Sequence, residues 1–153
     1  MLKRILPIAI VGTVVAAAHS VLDFGAVPTE VECDTVSAFS NTNAFLKAVQ
    51  AANASADDRV VHIPALPAGQ KLFMMPLLME NLHNVSFIVD GMVVASSDNI
   101  NWPNHTDWQL EKHLAYQDQH PRLRGSDFGP VISFWEIHDS SDLSFSGSGQ
   151  VDG

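Results

Sequence analysis

Carboxylates in pairs are the first candidates for chemistry in this chain. Splitting a glycosidic bond takes two carboxyl groups, one giving a proton to the leaving oxygen and one activating water or attacking directly. Asp57-Asp58 and Asp139 with Asp142 are the candidate pairs. Asp57-Asp58 follows a run of helix formers, and Asp139 and Asp142 flank Ser140 and Ser141. Both settings have the composition of solvated turns, because Asp and Ser side chains bond neighbouring backbone. His105, Asp107, Glu111 and His113 could suggest a metal, but they lack the H-E-x-x-H or Cys/His grouping that zinc requires. Ser146-Gly147-Ser148-Gly149 is not the G-x-S-x-G of a nucleophile elbow, and no glycine-rich phosphate loop occurs. Neither a metal nor an organic cofactor is expected, and no residue is assigned a catalytic role.

Recognition residues are more numerous. Trp102 and Trp108 lie in a long polar stretch from Asn99 to Gly129. Their rings could stack on sugars or pin the stretch to the body of the domain. Asn53-Ala54-Ser55, Asn84-Val85-Ser86 and Asn104-His105-Thr106 are glycosylation sequons if the chain is secreted. Asn84 opens an expected strand and is the poorest acceptor of the three if that strand is buried. Cys33 is the one cysteine of the chain. It has a partner elsewhere or is a free thiol.

The N-terminus reads as a secretory leader. Lys3 and Arg4 precede an apolar run from Ile5 to Ala18, and Ala18 and Ser20 supply small residues for cleavage after Ser20. The run is shorter than the roughly 20 apolar residues of a spanning helix and contains Pro7 and Gly12. The expectation is a signal peptide over 1–20, a single secreted domain over 21–153 and no stable membrane anchor. The chain carries 8 basic and 17 acidic residues, a formal charge of −9. Such a chain is a poor partner for nucleic acid or an anionic membrane. Lys112, Arg122 and Arg124 come nearest to a basic cluster and read as solvated loop charges.

The elements that must position these residues are one helix and many short strands. Phe45, Leu46, Val49 and Ala52 fall at helical spacing among good helix formers, which predicts a helix over Thr42–Ala54, capped by Asn41 or Thr42. Past it, Val60 to Ile63, Phe73 to Met75, Leu77 to Met79, Val85 to Val89, Met92 to Ala95, Val131 to Trp135 and Leu143 to Phe145 are brief apolar or β-branched runs broken by turn formers. Asn84-Val85-Ser86-Phe87 matches Asp142-Leu143-Ser144-Phe145 in type. Each copy is followed by an apolar-Asp-Gly step, Val89-Asp90-Gly91 and Val151-Asp152-Gly153. Stacked repeats of this kind bury each unit's apolar face on its neighbour, so the two copies are expected to be parallel strands with Phe87 and Phe145 on one side.

Several segments together resemble the polygalacturonase-type pectin-degrading glycoside hydrolases. They are V-L-D-F-G-A-V at 21–27, A-F-L-K-A-V at 44–49, V-V-H-I-P-A at 60–65, N-V-S-F-I-V-D-G at 84–91, A-S-S-D at 95–98, W-P at 102–103 and L-S-F-S-G-S-G-Q-V-D-G at 143–153. They come in that family's order and span nearly all of 21–153. The resemblance implies an all-β fold, a right-handed parallel β-helix (solenoid) whose N-terminal coils are capped by one α-helix. It implies hydrolysis of α-1,4-galacturonosyl linkages, with pectin or a related polysaccharide as partner. The family's N-T-D, D-D, G-H-G and R-I-K motifs are absent from 1–153, so its catalytic carboxylates are expected beyond Gly153. Pro28 to Ser40 also departs from the family, and Asn41-Thr42-Asn43 stands where an acidic pair is usual. Two alternatives remain open: a non-catalytic fragment or carbohydrate-binding remnant, and a pectate lyase-like protein.

Overall fold

A computed structural model describes residues 18–98, 100–102 and 133–153. The expected leader therefore lies outside the described residues as far as residue 17, as does most of the polar stretch after residue 102. No helix among the described residues is long and apolar enough to cross a membrane.

The helix α1 spans Thr35–Ala54 and begins seven residues before the predicted start. Asp34 is its N-cap, with its side chain accepting from the backbone N–H of Ser37 at 2.9 Å. Such a cap satisfies one of the donors that the first turn leaves without a helical partner. This bond holds the Asp34 carboxyl below its ordinary pKa. Phe45, Val49 and Ala52 are buried as the spacing predicts, together with Ala48, while Leu46 is only half-buried. Asn41 and Thr42 are not caps but buried residues inside the helix. The Asn41 side chain accepts from Val27 N–H at 2.8 Å and donates to Val27 O and Phe73 O. The Thr42 hydroxyl donates to Met75 O and accepts from Met75 N–H, each at 2.9 Å. Two polar side chains thus fasten the helix to backbone that no strand partner satisfies.

Among the described residues nine strands occur: β1 His19–Ser20, β2 Val60–Ile63, β3 Leu72–Met74, β4 Leu77–Glu80, β5 Ser86–Val89, β6 Met92–Ala95, β7 Trp135–His138, β8 Ser144–Ser146 and β9 Gln150–Asp152. They form three parallel sheets in the orders β1-β2-β5-β8, β3-β6-β9 and β4-β7. The two copies of the repeat pair in parallel as expected, Ser86 with Ser144 and Phe87 with Phe145. Phe45, Phe87 and Phe145 make an aromatic column, with centroids 6.2 and 4.8 Å apart and planes within 7°.

The all-β expectation, a right-handed β-helix with one capping helix, is corrected by this arrangement. The described residues are mixed α/β: a 20-residue helix on three separate parallel sheets of four, three and two strands, none of them closed. The helix is also more than a lid, since Phe45 is fully buried and shares the core with Val61, Leu77, Val85 and Phe87. The short strands and their repeat were legible in sequence; the weight of α1 in the core was not.

Close stacking sets the glycines of the second repeat. Gly147 has φ +117°, and a Cβ there would collide with the Val89 carbonyl. A Cβ on Gly149 would strike Gly91 backbone. The register keeps one 58-residue offset from β5–β8 through β6–β9, so Gly147-Ser148-Gly149 lies directly on Val89-Asp90-Gly91, and Val151 pairs with Val93 rather than matching Val89 as the sequence suggested.

Candidate functional site

Among the described residues, strands β4 and β7 carry a dense set of chemically active side chains. Pro76 precedes β4, and alternation in both strands puts Leu77, Met79, Trp135 and Ile137 on the core side. Leu78, Glu80, Glu136 and His138 therefore share the opposite, outward face. Register aligns Leu78 with Glu136 and Glu80 with His138. Glu136 Oε1 and His138 Nε2 lie 2.7 Å apart, two residues along one strand. Their side chains are only partly exposed, His138 at 24% and Glu136 at 13%. Glu80 Oε1 is shielded from solvent without a hydrogen-bond partner among the described residues. Such an atom costs free energy until something bonds it.

The geometry suits work on a polar chain. Neighbouring strands stand about 4.8 Å apart and residues rise about 3.3 Å, so the Glu80 and Glu136 backbones sit about 8 Å apart on the diagonal. Carboxyls on one face of neighbouring strands can accept from the hydroxyls of a polar chain, and the contact with His138 holds Glu136 in place. No group of three or more potential metal ligands occurs among the described residues.

Nothing in the residues adjacent to Glu80 or Glu136 marks them as a pair, because strand register brings them together. The signal was present in the repeat. The offset of 58 residues that aligns Ser86 with Ser144, carried upstream, aligns Leu78 with Glu136 and Glu80 with His138.

The pairs close in sequence are turns, as read. Ser55 Oγ accepts from Asp58 N–H at 2.9 Å, closing the chain after α1. Asp139 and Asp142 have φ of 47° and 55°, left-handed values typical of turns. Trp102 packs against Phe134, with centroids 6.3 Å apart, and so leans toward the pinning role. Trp108, Asn104, His105, Asp107, Glu111, His113, Lys112, Arg122 and Arg124 lie outside the described residues. Asn53 donates to Asn81 O and accepts from His83 N–H, so its amide holds two backbone segments together. Asn84 is exposed in a turn with φ 53° just before β5, which makes it the more open sequon of these two. Cys33 is a free, half-buried thiol, and burial raises its pKa.

A second cluster joins His62, Asp90 and Ser148. His62 Nε2 lies 3.1 Å from Asp90 Oδ2, and Ser148 donates to Asp90 Oδ1 from its backbone N–H at 3.0 Å and from its hydroxyl at 3.1 Å. These residue types make a hydrolase triad only when the histidine bonds the serine. Here the aspartate stands between them, so the cluster is a clamp joining β2, the turn after β5 and the turn before β9. The Ser148 backbone N–H and then His62 hold the Asp90 carboxyl below its ordinary value. An open groove of about 270 Å³ runs beside it, lined by Leu66, Gln70, Lys71 and Asp90 among others.

No family model, no curated protein and no solved structure matches this chain.

Proposed function

We propose that the protein is a secreted glycosidase of the polygalacturonase type, acting on α-1,4-galacturonosyl linkages in pectin, and that the outward face of β4 and β7 meets the sugar chain. The observation that carries this is the facing of Glu80, Glu136 and His138 from one two-stranded parallel sheet. The ordered sequence landmarks supply the substrate class. Carboxylates suit the hydroxyls of a saccharide, since an ionised carboxyl accepts and never donates.

One observation favours a second reading, a non-catalytic polysaccharide-binding protein. Glu136 Oε1 is already engaged by His138, which suits a fixed acceptor better than a proton carrier.

Electrophoresis through gels containing polygalacturonic acid, methyl-esterified pectin or a neutral glucan tests both, with reducing-sugar release measured alongside. Retardation by the galacturonan, weakened at least tenfold in Glu80→Gln and Glu136→Gln, is the expected result. Turnover that falls about a hundredfold or more in either variant, the usual scale of general acid–base catalysis, makes the two glutamates the catalytic pair. Binding without turnover, both here and in a chain extended past Gly153, selects the second reading, whereas turnover from the extended chain alone places the acid and base beyond Gly153. Equal migration in all three gels overturns both.

A further inference from the structure

The leader reading leaves two bonds at which small residues occupy the positions that a signal peptidase requires. Cleavage after Ser20 uses Ala18 and Ser20, whereas cleavage after Ala18 uses Ala16 and Ala18, an A-x-A site. Sequence alone does not separate them. The fold does.

His19 and Ser20 are strand β1. They pair in parallel with β2, His19 opposite Val61 and Ser20 opposite His62, at the outer edge of the four-stranded sheet. The next nitrogen, that of Val21, donates to His62 O at 3.0 Å, and Val21 has no exposed surface. The His19 ring lies 6.3 Å from that of Phe24, with Nε2 shielded from solvent. A cut after Ser20 would delete β1. It would also convert the Val21 amide, hydrogen-bonded and set beside a core side chain, into a charged ammonium. Burying such a charge without a counter-ion is strongly unfavourable. A cut after Ala18 keeps the strand and places the new ammonium on His19, next to half-exposed Ala18.

We propose that the mature chain begins at His19, through hydrolysis of the Ala18–His19 peptide bond by a leader peptidase. Water adds across the bond, leaving the Ala18 carboxylate on the released leader and a free amine on His19. This rests on the secreted reading above. Residues that read as the end of a leader thereby become the edge strand of the folded domain.

Expression of the whole 153-residue chain in a secreting eukaryotic host, followed by N-terminal sequencing and mass measurement of the protein in the medium, tests the site. The expected result is an N-terminus at His19, in at least tenfold excess over any other. Ala16→Arg removes the small residue required for this cut alone and should shift the terminus to Val21 or stop processing. A secreted wild-type protein that begins at Val21 overturns the inference and leaves secretion standing. A protein retained in cells with Met1 intact overturns both. In a second measurement, chains 19–153 and 21–153 are melted side by side. The shorter should melt lower, and equal melting temperatures would remove the structural ground for the choice.

Discussion

Two copies of one motif meet different fates in this molecule. Phe87 and Phe145 occupy the same register in adjacent parallel strands and stack with planes 7° apart, yet Phe87 is 1% exposed and Phe145 53%. Val93 and Val151, paired between β6 and β9, repeat the contrast at 0% and 43%. Phe87 lies between Phe45 of the helix and Phe145, whereas no described residue beyond β8 covers Phe145. Motif and register set where a side chain points. What stacks on its far side sets how much water it loses, and the free energy follows the water.

The sharpest break in the comparison comes from truncating each ring in turn. Phe87→Ala empties a closed site and should cost about 3–5 kcal/mol. Phe145→Ala loses mainly one aromatic pair and should cost about 0.5–1.5 kcal/mol. Urea denaturation of both variants measures this, and equal losses would mean that Phe145 is covered in solution. Phe45→Ala, on the other side of the column, should match Phe87→Ala.

A smaller effect contrasts the polar contacts of the two regions. Asn41→Ala frees the part-buried Val27 N–H and the buried Phe73 carbonyl, and a buried polar group left unpaired costs about 1–3 kcal/mol. Ser144→Ala removes the exposed bond to Ser86 Oγ at 2.8 Å and should stay within about 0.5 kcal/mol. If the two variants melt together, the buried position of Asn41 is not what gives its contacts their value.

The same contrast explains what sequence could reveal. Val60, Val61 and Ile63 announced β2, and Met92 to Ala95 is β6 as bounded. These runs carry their signal within themselves. The first two turns of α1 did not, because Ser37, Ser40, Asn41, Thr42 and Asn43 are weak helix formers. They are held in the helix by the Asp34 cap and by bonds from Asn41 and Thr42 to distant backbone. The fold class was overdrawn for a related reason. Strand repeats are visible as patterns, while the share of the core that a helix occupies is not. The Glu80–Glu136–His138 face is less legible still, since it exists only once register places β7 beside β4. Asp57, Asp58, Asp139 and Asp142 attracted notice through nearness in sequence, yet all belong to turns or the segments beside them.

The smallest expected effect lies where the two copies touch, at Asp90 beneath Ser148. The carboxylate is held below its ordinary pKa of 3.8 by the Ser148 backbone N–H first and by His62 second. A carboxyl with a depressed folded value stabilises the fold above its unfolded value, and that contribution disappears as pH falls through the folded one. The difference in stability between the wild type and Asp90→Ala should therefore be steady from neutral pH down toward about 5, and should shrink only below 3.8. His62→Ala in the same titration isolates the Ser148 bond, and the fall below 3.8 should survive in that background. A stability difference unchanged down to pH 2 would show that the clamp works through shape alone. A difference lost already well above 3.8 would show that the Asp90 carboxyl is not the group that carries it.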